Sequence, residues 1–145
     1  MILFLDVDGV LNHQGTYRKH KRKYQNLDAE NLSVLKEIMD RYHSQIVLTS
    51  SWRYFSYNLD ILARAFQEYG IDPWISMTPI LDGNRNLEIK KWMKAHEIRK
   101  EEIIILDDRT DLGDLTDRLV STDFLTGGLK REHIESIQRL WQESI

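Results

Sequence analysis

Two aspartates stand two residues apart at the end of an apolar run, Ile2-Leu3-Phe4-Leu5-Asp6-Val7-Asp8-Gly9. Ile2–Leu5 is the right length for a buried strand. Alternate side chains of a strand share a face, so Asp6 and Asp8 should project together from its C-terminal end. Crowded carboxylates repel each other. Such a pair is usually held by a cation, or one member is kept protonated. A polar turn after a strand explains one Asp easily and two poorly. Carboxylates placed this way suit ligation of a hard cation, and the end of the first strand is the candidate active site.

The elements that must position them follow from the apolar pattern. Gln45-Ile46-Val47-Leu48 predicts a second strand, which ends in Thr49-Ser50-Ser51. Ile103-Ile104-Ile105-Leu106 predicts another, which ends in Asp107-Asp108. Trp74–Ser76 predicts a short strand and Leu119–Thr122 a weaker one. Helical spacing lies between them. Asp28 is placed to cap a helix carrying Leu32, Leu35, Ile38, Met39 and Tyr42 on one face. A second helix carries Leu59, Leu62, Ala63, Phe66 and Tyr69, with Gly70 as its stop. A third, over about 86–96, carries Ile89, Trp92, Met93 and His96. The last, after Gly127-Gly128, carries Ile134, Ile137, Leu140 and Trp141 inward. Strands alternating with helices imply a parallel sheet covered on both faces. Its C-terminal edge, where α/β proteins bind ligands, then gathers all three polar clusters. Each cluster alone is ordinary turn chemistry. Together they bring up to four carboxylates, from Asp6, Asp8, Asp107 and Asp108, to one place. Oxygen ligands at neutral pH call for a hard divalent cation, with Mg²⁺ the natural choice.

These residues resemble the motifs of the haloacid dehalogenase (HAD) superfamily of phosphohydrolases. Phe4-Leu5-Asp6-Val7-Asp8-Gly9-Val10-Leu11 is similar to its first motif, Val47-Leu48-Thr49-Ser50 to its second and Ile105-Leu106-Asp107-Asp108 to its fourth. The spacing of Ser50-Ser51-Trp52-Arg53, Asn86–Trp92 and Leu106-Asp107-Asp108-Arg109 is similar to small HAD domains of bacteria, phages and RNA-repair proteins. The resemblance implies a Rossmannoid three-layer α/β/α sandwich, with a mainly parallel five-stranded sheet and no cap domain. It implies a phosphatase in which Asp6 attacks phosphorus and becomes an aspartyl-phosphate, while Asp8 protonates the leaving oxygen and later activates water. It implies Mg²⁺ held by Asp6, the backbone carbonyl of Asp8 and Asp107, with Asp108 or Asp111 completing the shell. Thr49, with Ser50, would donate to a phosphoryl oxygen.

The third motif of the superfamily is normally a lysine. Here Arg85 stands near the start of the helix before the Ile103 strand, and its fork can neutralise phosphate. Lys90 and Lys91 lie a turn further on. Arg53 is close enough to Thr49-Ser50 to touch substrate phosphate as well. The stretch from Asp8 to Asp28, and that from Ser50 to Arg85, are each too small for a folded cap, so an open site is expected. The loop 12–27 holds a basic run, Arg18-Lys19-His20-Lys21-Arg22-Lys23. It reads either as a phosphate-attracting flap or as a solvated charge run. Trp52, Tyr54, Phe55 and Tyr57 offer a base-stacking surface or staple a helix start into the core. The second role is preferred for Trp52 and Phe55.

Length and composition bound the rest. One domain is expected over the 145 residues, with 41% hydrophobic and 30% charged residues, a globular balance. Without cysteine, disulfides and thiolate metal sites are excluded. The apolar start is too short for a membrane span and lacks a basic region in front, so a cytoplasmic protein is expected. A net charge of −3 gives no global pull toward nucleic acid. The function expected is Mg²⁺-dependent hydrolysis of phosphomonoesters, with nucleic-acid phosphate ends as candidate substrates. The alternatives are a phosphoacceptor module, and a HAD scaffold that binds without turnover.

Overall fold

The computed structural model describes residues 1–18 and 26–143. Five strands form one sheet: β1 (Ile2–Leu5), β2 (Gln45–Leu48), β3 (Ser76–Met77), β4 (Ile103–Asp107) and β5 (Leu119–Ser121). All neighbours pair in parallel, in the order β3-β2-β1-β4-β5. Four α-helices connect or follow them: α1 (Ala29–Tyr42), α2 (Ser56–Tyr69), α3 (Arg85–Ala95) and α4 (Arg131–Glu143).

The alternation of β1 divides the core between two faces. Leu3 and Leu5 point to a face covered by α1, α2 and α4 through Leu32, Leu35, Ile38, Leu62, Phe66, Ile134 and Ile137. Ile2 and Phe4 point to the other, where Ile89, Trp92 and Met93 of α3 pack with Leu112 and Leu115. Phe4 meets Trp92 edge-on, ring centroids 5.4 Å apart. The result is the expected α/β/α sandwich. Between β2 and α3 the chain builds only a 3-10 turn, α2 and the edge strand β3.

Local signals place the elements. Asp28 caps α1 by accepting from the amides of Glu30 and Asn31, and Gly70 ends α2 with φ 69°, a conformation natural to glycine. Three details differ from expectation. The third strand lies at Ser76–Met77 rather than Trp74–Ser76, because its backbone bonding to β2 begins only with the amide of Ile75 on Ile46 O. Ala63 is exposed and Ala65 faces the core instead. His96 lies at the solvent-exposed end of α3, stacked on Trp92 at 4.0 Å.

Candidate functional site

Sheet register fixes the site. Leu5 of β1 is level with Leu48 of β2 and Leu106 of β4. The next residue of each strand, Asp6, Thr49 and Asp107, therefore emerges at the same level of the C-terminal edge. Backbone bonds extend the ladder one step further, from Asp6 N to Leu106 O and from Thr49 N to Leu5 O, each 3.0 Å. Asp6, Thr49 and Asp107 are buried.

Asp6, Asp107 and Asp108 each bring a carboxylate oxygen within 4.8 Å of the others. Such crowding raises proton affinity. Burial, then the charge of Asp107, pushes the pKa of Asp6 well above the usual carboxylate range, against the opposing pull of Arg85. Burial and Asp107 push Asp108 up as well. A cluster of three carboxylates fits a hard divalent cation, because its ligand atoms are all oxygens and their negative charge exceeds what one neighbouring cation can offset. Gly9 makes the cluster possible. At φ 82° it lets the chain turn, and a Cβ there would collide with the Asp108 carboxylate.

Arg85, the first residue of α3, reaches into this cluster. Its Nη1 donates to Asp107 Oδ2, lies 3.7 Å from Asp6 Oδ1 and 3.5 Å from Thr49 Oγ1. Lys90, by contrast, pairs with Asp114 on the surface, and Lys91 is exposed. The helix start supplies the basic group, as only its first turn overhangs the sheet edge. Beneath it Glu88, fully buried, lies 3.7 Å from Arg85 Nε and accepts from Arg53 and from the amide of Leu81.

Four expectations take a different form. Arg53 was expected at the phosphate. Its guanidinium instead donates to Ser50 O, to Thr78 O and Oγ1, to Pro79 O and to Glu88, with only 3% of the side chain exposed. It ties the second strand's end to the edge strand's loop. The Ser50 hydroxyl accepts from the Trp52 amide and so caps a turn beside the site. Asp111 stays exposed and pairs with Arg109 at 2.8 Å, apart from the cluster. Of the aromatics, Trp52 is buried as a staple should be, but Phe55 is 63% exposed, and Tyr54 and Tyr57 are exposed beside it. Lys19 to Lys23 of the basic run lie outside the described residues.

Asp8 is exposed beside the cluster. Its Oδ1 accepts from Asn12 Nδ2 at 2.8 Å and from Trp52 Nε1 at 3.1 Å. Asn12, Glu88 and Arg109, whose Nη1 donates to Gly83 O, are neighbours that sequence inspection did not assign, and it read Trp52 as a staple without its contact to Asp8. Trp52 carried the only usable signal: an indole N–H that is buried needs an acceptor.

A family model described as the HAD domain in Swiss Army Knife RNA repair proteins matches residues 2–134. The chain belongs to this HAD family. The match runs from the first strand of the HAD domain into α4, so it includes every strand end described above. No curated protein matches the chain. Among solved structures, this HAD domain is similar to the cobalt-bound form of the deoxy-D-mannose-octulosonate 8-phosphate phosphatase from Haemophilus influenzae. The identity is 16%, the TM-score 0.48, and the similarity covers 99% of this chain and 88% of that one. No described helix of the HAD domain is long and apolar enough to cross a membrane.

Proposed function

We propose that this chain is a Mg²⁺-dependent phosphohydrolase working through an aspartyl-phosphate on Asp6. The observation that carries it is the convergence of Asp6, Asp107 and Asp108 on the buried Arg85 and Thr49, with Asp8 exposed alongside. One buried carboxylate for attack and one exposed carboxyl for proton transfer are what a two-step phosphoryl transfer needs.

Asp6, Asp107 and Asp108 would hold the cation, joined by the backbone carbonyl of Asp8. When bound, it supplies the positive charge that lets a phosphate dianion approach these carboxylates. The chain's own residues do the rest. In the first step an Asp6 carboxylate oxygen forms a bond to phosphorus. The bond from phosphorus to the leaving oxygen breaks, its electron pair stays on that oxygen, and the oxygen takes the Asp8 proton. In the second step Asp8 accepts a proton from water as the water oxygen bonds to phosphorus. The phosphorus–oxygen bond to Asp6 breaks with its pair returning to the carboxylate. Arg85 and the Thr49 hydroxyl neutralise and orient the phosphoryl oxygens. Arg85 in place of lysine keeps the charge and adds a fork.

Phosphate ends of nucleic acid are the substrate class best supported. The family is that of RNA-repair proteins, and the exposed rings of Tyr54, Phe55 and Tyr57 begin five residues after Thr49, a surface suited to stacking bases. A cytoplasmic setting, with Mg²⁺ abundant and thiols reduced, suits this chemistry.

The test is phosphate release from p-nitrophenyl phosphate and from 3′- and 5′-phosphorylated oligonucleotides. Release should require Mg²⁺ and disappear in Asp6→Asn. Undiminished release by Asp6→Asn would sink the proposal. So would silence across the whole panel with Mg²⁺ present.

A further inference from the structure

The mechanism above leaves one contact unexplained. An indole N–H from the turn after β2 reaches across to the carboxyl of an exposed residue 44 positions earlier. We propose that Trp52, together with Asn12, positions Asp8, holding Oδ1 with two N–H donors and leaving Oδ2 as the oxygen that carries the transferred proton. This deepens the phosphatase reading and rests on it.

The arrangement is built from the second strand outward. Ser50 Oγ accepts from the amide of Trp52, and Ser50 O accepts from the amide of Arg53 at 3.0 Å. These bonds fold residues 51–54 into a 3-10 turn directly after Thr49. The turn buries the Trp52 ring in the core on the α1 side, with 6% of the residue exposed. From there Nε1 meets Asp8 Oδ1 at 3.1 Å. Asn12 approaches the same oxygen from the other side. Its Nδ2 is shared between Asp8 Oδ1 at 2.8 Å and Asn26 O at 2.9 Å, while its Oδ1 accepts from the amide of Gly9.

Indole and amide nitrogens here can only donate, so both bonds require Oδ1 to be an acceptor. A protonated carboxyl carries its hydrogen on one oxygen. With Oδ1 committed to two donors, Oδ2 is the oxygen that gives the proton in the first step and takes one in the second. The carboxyl is also locked against rotation, which an exposed Asp would otherwise undergo. Orientation of this kind is a large part of what a general acid contributes. Trp92, buried in the other core, donates its Nε1 to the hydroxyl of Ser76 at 2.8 Å. Trp52 takes the proton-transferring carboxylate.

Trp52→Phe removes the N–H and keeps an aromatic ring at the same core position, and the dependence on leaving group separates the lost donor from the lost volume. Asn12 is less suitable, because it also braces the Asp8-Gly9 turn. Wild type and Trp52→Phe are compared with Mg²⁺ on a series of aryl phosphates of rising leaving-group pKa, ending with an alkyl phosphate. The readout is kcat/KM, which reports the step in which the leaving oxygen is protonated. A good leaving group needs no proton, so its kcat/KM should change little. The alkyl phosphate should lose about 10- to 100-fold, a portion of the roughly 10²–10⁴ that general acid catalysis supplies. A uniform loss along the series would assign Trp52 a structural role, and no loss anywhere would remove it from the reaction. Either result overturns the positioning role and leaves the phosphatase reading intact. A wild type silent on every substrate overturns both.

A second measurement needs no turnover and no change in the core. The indole ¹H–¹⁵N resonances of the four tryptophans are recorded in wild type and in Asp8→Asn, a change at an exposed position. The Trp52 signal should move, while those of Trp74, Trp92 and Trp141 should stay. An unmoved Trp52 signal would overturn the contact itself.

Discussion

At the residue scale, Arg85 decides how the acidic cluster survives in a folded protein. Asp107 is fully buried and Asp6 nearly so, and among the described residues Arg85 is the cation that meets both. Buried carboxylates left without a partner are costly, and breaking such a pair from one side typically destabilises by ~3–5 kcal/mol. Arg85→Ala should therefore lower unfolding free energy by about that amount in metal-free buffer. Added Mg²⁺ should restore part of the loss, because the cation replaces the missing charge. Arg85→Lys should be milder, retaining the charge without the fork. Urea denaturation with and without Mg²⁺ measures all three. Equal stability of Arg85→Ala and wild type in chelator would show that the cluster does not depend on this charge.

At the element scale, the strand ends are held by turns that the helices must start from. The beginning of α4 is an example. His133 is buried, and its Nδ1 accepts from the amide of Lys130 at 2.8 Å, so the neutral ring closes the helix entry. Burial lowers its pKa below the ordinary 6.5. A depressed histidine value means that the unfolded chain takes up the proton first as pH falls. The stability His133 contributes is thus present above about pH 6.5 and lost as the pH falls from there through the folded value. Thermal melts between pH 7.5 and 5 should show this decline in the wild type and a shallower one in His133→Gln. Parallel slopes for the two proteins would show that this ring does not couple folding to pH. The edge of the sheet is held differently. Arg53 bridges Ser50, Thr78 and Glu88 with one planar group, so a buried side chain adds to the backbone bonds that hold the short strand β3 against β2.

For the molecule as a whole, the site is a strained assembly that a ligand should relieve. Three acids sit together at the rim of an otherwise apolar sheet, and anything that binds the folded form alone stabilises it by mass action. Divalent cations should therefore raise Tm, with the rise growing with concentration. At ~100 times the dissociation constant the gain amounts to about 2.7 kcal/mol. Asp107→Asn should remove most of that rise, and differential scanning fluorimetry with Mg²⁺ against chelator is the measurement. An unchanged Tm at millimolar Mg²⁺ would argue against a metal held by these carboxylates.

The sheet and its acidic edge were legible because each depends on neighbours along the chain. Four apolar residues in a row before Asp6, and again before Asp107, specify buried parallel strands, and parallel strands put their C-terminal ends side by side. Asp6, Thr49 and Asp107 then meet whatever the loops do. The side chains that converge on them from elsewhere were not legible in the same way. Whether Arg85 or Lys90 overhangs the edge depends on the phase of α3 against the sheet, and only the packed helix sets that phase. Arg53 looked like a phosphate ligand from its distance to Thr49 along the chain, and Ser50 from the resemblance to the HAD motifs. Buried partners 25 to 35 residues away turn the arginine inward. Asp108 joins the cluster and Asp111 does not, since Arg109 takes the latter. Trp52 meets Asp8 only once two separate strand ends are folded side by side. Backbone placement at this site is a local property of apolar runs. The direction of each polar side chain is settled by which buried donor or acceptor the fold sets opposite it.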